Sequence, residues 1–304
     1  MLSTKFSPKK FRTAFSLIEL SIGILAFSLL IAIITQSSNL YKKYQLSNAT
    51  ALTKATEVNG IEGIILWLDA TAPKVLTNAN GSTNIKDGDL IKSWKSQNPQ
   101  SKNTFDFVQN TGANQPTYKE SGINQLPTLF FDSNNSGSTY KRLGTAHNFI
   151  LAPAQFSVFV VMQPIQNIVT NGYAIDFRAS SSGKGFGLYK KNTTYMGVTS
   201  NRWSLDTWSG SAWTQTLSSA LSLNTPTVVS AIRSNSSNTV YRNGTPSTSS
   251  NANYIPNDNT SSSLYIGNIF DGNISEVIMF DRTLSDEDRQ IVEKYLGKKY
   301  GIKI

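Results

Sequence analysis

Of the 19 acidic residues in this chain of 304, one stands where an acid is costly. Glu19 lies five residues into the apolar run Phe15–Ile34, in KKFRTAFSLIELSIGILAFSLLIAII. An intramembrane carboxylate costs a few kcal/mol on insertion scales and calls for a partner. Cutting the chain between Ala14 and Phe15 would create a new α-amino group one helical turn from Glu19. A neighbouring copy could then offer its own N-terminal ammonium to this carboxylate.

Other residues suggest binding chemistry. RWSLDTWSGSAW spaces Trp203, Trp208 and Trp213 five residues apart in a polar, Gly/Ser-containing stretch. Aromatic faces so placed can stack on sugar rings, or one or two of them plug a core or close a loop. Asp69, Asp132, Asp258 and Asp271 are loop-proximal oxygens of the kind calcium collects, although no dense D-x-D-x-D run occurs. Glycoside hydrolysis with retention needs two carboxyl groups about 5 Å apart. In NISEVIMFD, Glu276 has only Asp281 nearby, five positions on, at the far end of the strand and on its other face. Glu276 is therefore expected to be a sheet-face or loop-anchoring residue. The single histidine, His147, and the absence of cysteine argue against a histidine metal site, a Ser-His-Asp triad, disulfides and thiolate chemistry.

The elements that carry these residues follow from pattern. Phe15–Ile34 has the length an α-helix needs to span a hydrocarbon core. The basic segment before it (Lys5, Lys9, Lys10, Arg12) belongs on the cytoplasmic side. TQSSNLYKKYQ follows without a small-x-small cleavage site. Leu40, Tyr44, Ser47 and Ala51 keep helical spacing, with Leu52 and Ala55 adjoining. One helix from Phe15 to about Glu57 is expected, on the order of 60 Å at 1.5 Å per residue, its first half in lipid and its second half docked on a soluble domain.

These residues resemble the type IV pilins and pseudopilins. That signature is a short basic leader, a small residue, a cut, then Phe-x-Leu-[Ile/Val]-Glu opening the hydrophobic helix. Here it reads KKFRT-A followed by FSLIEL, with Ala14 where the family usually has glycine. The resemblance implies a leader over residues 1–14, an assembly helix over 15–57, cleavage by a prepilin peptidase and methylation of the Phe15 nitrogen. It also implies assembly with other pilin or pseudopilin subunits through Glu19.

After Val58 the pattern becomes short strands with Gly, Asn and Ser turns. Candidates are Ile64–Asp69, Leu126–Asp132, Phe156–Gln163, Pro226–Arg233 and Asn273–Phe280, with shorter ones near Ile91–Trp94, Phe105–Gln109, Tyr173–Arg178, Gly185–Tyr189, Thr239–Arg242 and Leu264–Ile266. This spacing predicts an antiparallel sandwich or jelly roll. Asn243–Gly244 is a two-residue hairpin signal. A closing helix starts at Ser285 as N-cap, with Asp288 in a box-like pattern. Ile291, Tyr295 and Leu296 form its expected buried stripe, and Lys298 and Lys299 complement its dipole. The formal charge of +9 is diffuse, without a run of five like charges, so no nucleic-acid partner is expected.

The body resembles the laminin-G-like, or concanavalin A-like lectin/glucanase, domains. The matching stretches are LWLDA (Leu66–Ala70), IKSWKSQ around Trp94, QPTY (Gln115–Tyr118), GINQLPTLFFD (Gly122–Asp132), FSVFVVMQP (Phe156–Pro164) and Tyr265–Ile302. The resemblance implies a mainly β, antiparallel concanavalin A-like sandwich over 58–304 with a C-terminal helix. Enzymes on that fold carry an E-x-D-x-x-E arrangement, which this chain lacks. The expectation is a non-enzymatic minor pilin or pseudopilin displaying a lectin-like head outside the cytoplasm for adhesion to a glycan or surface ligand. It is held in the cytoplasmic (inner) membrane by a single pass and needs no cofactor beyond a possible calcium ion. The alternative is a membrane-anchored carbohydrate-active enzyme or a surface lectin outside any filament.

Overall fold

The computed structural model describes residues 16–100, 105–132, 140–145, 155–165, 172–178, 185–195, 198–209, 211–220, 222–250 and 263–304. The leader residues, Ala14, Phe15, His147 and Asp258 lie outside them. Two compact units divide the chain, Met1–Tyr44 and Gln45–Ile304.

Helix α1 runs Leu17–Ala55. Its first turn is closed reciprocally: the Glu19 amide donates to Ser16 Oγ (3.3 Å) and the Ser16 amide donates to Glu19 Oε2 (3.0 Å). This is a capping box, and it gives the carboxylate a local partner. In the first unit the helix exposes many large apolar side chains, among them Leu20, Leu25, Phe27 and Leu30. By length and composition it could cross a membrane. Ser21, Ser28 and Ser37 return their hydroxyls to carbonyls three or four residues back, at 2.9, 2.8 and 2.8 Å, so the run tolerates them. At the other end, Asn59 Nδ2 donates to the carbonyls of Thr53, Lys54 and Thr56 (3.2, 3.2 and 3.1 Å). Those acceptors would otherwise be orphaned at the helix terminus.

In the second unit, a 3-10 turn over Glu57–Gly60 leads into 17 strands among the described residues. These are β1 (Ile64–Asp69), β2 (Leu76–Asn78), β3 (Ile91–Lys95), β4 (Asp106–Val108), β5 (Thr117–Lys119), β6 (Thr128–Phe131), β7 (Leu143–Thr145), β8 (Phe156–Pro164) and β9 (Gly172–Arg178). Then come β10 (Gly185–Tyr195), β11 (Val198–Trp208), β12 (Trp213–Ala220), β13 (Thr227–Arg233), β14 (Ser237–Arg242), β15 (Thr245–Ser250), β16 (Tyr265–Ile266) and β17 (Gly272–Phe280). Helix α2 (Asp286–Tyr300) closes the fold.

The strands form two antiparallel sheets. The first has the order β15-β14-β13-β8-β17-β6-β5, with β1 also on β17; the second has the order β12-β11-β10-β9-β16-β7-β4-β3-β2. One apolar core lies between the sheets, from Leu68, Phe156 and Val160 to Phe186 and Trp203. A second lies on the other side of the first sheet, where Trp67, Phe159, Val161 and Ile278 meet Ala49 of α1 and Val292, Leu296 and Tyr300 of α2. The first sheet is thus covered on both faces, which explains why β8, β13 and β17 read as continuous apolar runs and not as alternating ones. Each large apolar side chain so buried contributes roughly 1.5–3 kcal/mol. The second sheet keeps an outer face.

Local signals match the geometry. Asn243 (φ 49°) and Gly244 (φ 77°) make the β14–β15 hairpin, both in the left-handed region that a type I′ turn demands. Ser285 Oγ accepts from the Asp288 amide at 3.1 Å, and α2 ends on a left-handed Gly301. RWSLDTWSGSAW, a polar, Gly/Ser-containing stretch in the sequence, forms the end of β11 and the start of β12. Its Ser204 and Thr207 occupy strand positions, where the β-branched threonine suits a pleat.

Candidate functional site

The outer face of the second sheet gathers side chains from four strands. Along β11 the side chains alternate, with Trp203 and Leu205 in the core and Ser204, Asp206 and Trp208 on the other face. Across the β11–β12 pair, Trp208 stands opposite Trp213 and Asp206 opposite Gln215. The two indoles lie 5.3 Å apart and are half-buried. On β9 and β10, Tyr173 and Tyr189 approach to 4.9 Å. The Arg178 guanidinium lies 3.8 Å from the Tyr173 ring centroid and 5.9 Å from that of Trp213. Gly187 makes room here: a Cβ on it would meet Tyr173 at 3.1 Å.

Polar groups hold these rings in place. Arg178 grips Asp176 with two bonds, 2.7 and 2.9 Å, a bidentate fork. Asn268 Nδ2 donates to the same carboxylate at 2.8 Å. Gln215, exposed, donates to Tyr189 Oη (2.7 Å) and Asp206 Oδ2 (3.1 Å), while Ser204 donates to Asp206 Oδ1 (2.6 Å). Burial, joined for Tyr189 by the Asp206 charge, pushes both tyrosine hydroxyls upward in pKa, so they stay neutral donors. Burial works against the Arg178 charge, but Asp176 outweighs it and its pKa rises. Aromatic faces flanked by fixed planar hydrogen-bonding groups suit a polyhydroxylated ligand with apolar ring faces.

A second cluster lies under α2. Asp69 and Glu276 are cross-strand partners on β1 and β17. Lys299 Nζ sits between them, 2.7 Å from Asp69 Oδ2 and 2.7 Å from Glu276 Oε2. Glu276 Oε1 accepts from Trp67 Nε1 and Tyr295 Oη, both at 2.8 Å, and Oε2 from Tyr300 Oη at 2.9 Å. Asp69 Oδ1 accepts from the Thr71 amide (2.8 Å) and hydroxyl (2.7 Å). Thr53 of α1 joins through Lys299 Nζ at 2.9 Å and Tyr295 Oη at 2.8 Å. Burial, and then the Asp69 charge, push Glu276 up in pKa despite Lys299. Burial alone would pull Lys299 down, but its two carboxylates outweigh it and raise it. Lys299 is therefore held as a cation.

The sequence candidates fall in different places. Trp203 is fully buried and packs on Phe270 with centroids 6.0 Å apart, out of reach of any ligand. Trp208 and Trp213 stand together on the outer face. Glu19 is exposed, in its capping box. Asp69 is committed to Lys299 and Thr71, which removes it from a calcium site. Asp132 is half-buried and Asp271 buried, and among the described residues no three His, Cys, Asp or Glu side chains gather to hold a metal. Glu276, expected on a sheet face or loop, is an interior hub. Lys299, assigned with Lys298 to the helix dipole, points inward because it continues the stripe of Val292, Tyr295 and Leu296.

Sequence comparison agrees with this architecture. A laminin G family model, described as the concanavalin A-like lectin/glucanases superfamily, matches residues 135–288, half of the chain. The chain belongs to that superfamily. No curated protein matches it as a sequence. Solved structures similar to this concanavalin A-like chain include domain 4 of an extracellular arabinanase from Geobacillus stearothermophilus in complex with arabinotriose (14% identity, TM-score 0.43, covering 59% of this chain and 80% of that one). Trypanosoma rangeli sialidase in complex with sialic acid is similar at 12% identity and TM-score 0.44, covering 78% of this chain and 33% of that one. The binding domain of botulinum neurotoxin DC in complex with SialylT is similar at 13% and 0.45, covering 79% and 52%. This chain therefore spans about a third of the sialidase's length and about half of the toxin fragment's.

Sequence reasoning missed Tyr173, Asp176, Arg178, Tyr189, Asp206 and Gln215 in this concanavalin A-like domain. One signal was present: polar residues recur at every second position in SLDTW (Ser204, Asp206) and GYAIDFR (Asp176, Arg178).

Proposed function

We propose that this chain is a membrane-held, non-catalytic lectin-like subunit whose outer sheet face, around Trp208, Trp213, Tyr173 and Arg178, contacts a glycan. We further propose that its N-terminal helix assembles in the manner of a type IV pilin or pseudopilin. The observation that carries the binding reading is the set of aromatic rings held by Asp176, Asp206 and Gln215 on a sheet face that no helix covers among the described residues. The absence of catalysis is supported by the fate of Asp69 and Glu276. These two carboxylates do come together, but both are buried and bridged by Lys299, where neither can reach a glycosidic oxygen. The filament reading is supported by the sequence Ala14-Phe15-Ser-Leu-Ile-Glu19 at the head of an exposed apolar helix. In it, Glu19 accepts from two donors in turn, the Ser16 backbone amide of its own helix start and the α-amino group of a neighbouring subunit.

Two measurements test the two parts separately. Mass spectrometry of the mature N-terminus from membranes is expected to find N-methyl-Phe15; a retained Met1 overturns the pilin reading, as does filament assembly unaffected by Glu19→Ala. A glycan array with the full chain in detergent is expected to give hits that weaken at least tenfold in Trp213→Ala. Hits unchanged in that variant overturn the binding face.

A further inference from the structure

The Asp69–Lys299–Glu276 cluster meets the requirements of an acyl substitution as well as those of an ion pair. The amine lies 2.7 Å from an oxygen of Asp69, and all three side chains are shut off from water. Such positioning replaces a bimolecular encounter, with effective molarities on the order of 10⁵–10⁸ M in well-oriented systems. The other oxygen, Asp69 Oδ1, already accepts from a backbone N–H and a hydroxyl, both of Thr71, at 2.8 and 2.7 Å. Those donors would hold the charge of a tetrahedral intermediate. A proton carrier is in place too, since Glu276 Oε2 lies 2.7 Å from Nζ.

We propose that Asp69 and Lys299 condense into an intramolecular isopeptide bond, with Glu276 as the catalytic proton carrier. Glu276 takes a proton from the Lys299 ammonium, and the freed Nζ lone pair bonds to Asp69 Cγ. Negative charge gathers on Oδ1 against the Thr71 donors. Glu276 passes its proton to Oδ2 and then carries a second one from Nζ to the same oxygen. The Cγ–Oδ2 bond breaks and Oδ2 leaves as water. Ammonium and carboxylate have become an amide and one water, and Glu276 ends as it began. No oxidant, metal or external reagent enters.

Two features favour the step. Condensation removes a cation and an anion from the interior, where both are held away from water at the cost of their hydration. Burial raises the pKa of Glu276 and so strengthens it as a proton acceptor, against the two carboxylates that raise the pKa of Lys299; the 2.7 Å contact between Oε2 and Nζ is what gives the proton its path. Asp69, and not Glu276, is the acyl donor because of what each leaving oxygen must release. Apart from Lys299, Asp69 Oδ2 has only long contacts, from Gln97 at 3.2 Å and Thr53 at 3.3 Å, whereas Glu276 Oε2 holds Tyr300 at 2.9 Å. The bond would join β1 to α2, positions 230 residues apart.

The test is peptide mapping of the full chain, purified in detergent, fully denatured and digested with trypsin. The expected product is one branched peptide that joins the Asp69 and Lys299 segments and is lighter than their sum by one water. Lys299→Arg, which keeps the cation but supplies no such nucleophile, should give two linear peptides and migrate more slowly on a denaturing gel. Glu276→Gln should also give linear peptides while keeping the wild-type circular dichroism. Linear, unmodified peptides from the wild-type chain overturn the proposal, as does a branch that maps to Glu276 instead of Asp69.

Discussion

Asp69 and Glu276 face each other directly across the β1–β17 pair, and the two carboxylates share the single ammonium of Lys299 at 2.7 Å from each. Like charges directly opposite on neighbouring strands repel. This pair persists because a third element, helix α2, inserts a cation, and because Trp67, Tyr295, Tyr300 and Thr71 satisfy the remaining oxygens.

Removing Lys299, as the cation or as the amine of the proposed amide, should therefore be costly. Lys299→Met keeps the length of the side chain and leaves two buried acids facing one another. The expected loss is about 3–5 kcal/mol, read as a lower urea midpoint. A change under about 1 kcal/mol would mean that water reaches the cluster.

Two tryptophans of similar sequence setting should behave in opposite ways. Trp203→Ala empties a core site against Phe270 and should cost about 3–5 kcal/mol. Trp213→Ala removes a half-buried ring whose partner is Trp208, and its stability cost should stay near 0.5–1.5 kcal/mol, the worth of an aromatic pair (about that range). Calorimetry on both variants checks the ordering.

Glu293 offers a pH signature. It is buried against Ser230, at 2.8 Å, and Arg289. Burial raises its pKa above the ordinary value of 4.5, outweighing both partners. The folded state thus holds this proton more tightly than the unfolded chain does. Its contribution to stability is complete below pH 4.5 and is lost as pH rises through the folded value. In Glu293→Gln the melting temperature should fall less between acid and neutral pH than in the wild type. Parallel curves would contradict the assignment.

Asn59 closes the carbonyl end of α1 with three hydrogen bonds. Asn59→Ala should cost about 1–3 kcal/mol through unpaired acceptors. Limited proteolysis should then cut near Ala55–Val58 sooner than in the parent chain.

Much of this fold could be read from local pattern, for a physical reason. β1, β8, β13 and β17 are buried on both faces, so their residues are apolar whatever their parity, and a short apolar run marks each one. Helix α2 announces itself through Ser285 and its acidic first turn. The ends of β11 and β12 escaped because they carry Ser, Thr, Asp and Gln, which in a short window look like loop chemistry. The Asp69–Glu276–Lys299 cluster escaped for another reason. Its members lie far apart in the chain, and only the register of β1 on β17 and the docking of α2 bring them together. A trace was visible even so: IILWLD and NISEVIMF each hold a lone acid in an apolar strand, and Lys299 continues an apolar helical stripe. Charges in such places need a partner, but the sequence does not say which.

The route from α1 into the sandwich has a mechanical meaning. The chain leaves the helix at Ala55, makes the turn Glu57–Gly60 and enters β1 at once, and β1 ends at Asp69, where α2 is fastened. A pull along α1, from a membrane or a moving filament, would be taken up first by that strand and the last helix. The strands β11 and β12 that carry Trp208 and Trp213 belong to the other sheet and do not pair with β1, so a ligand could be gripped there while the tether is under load.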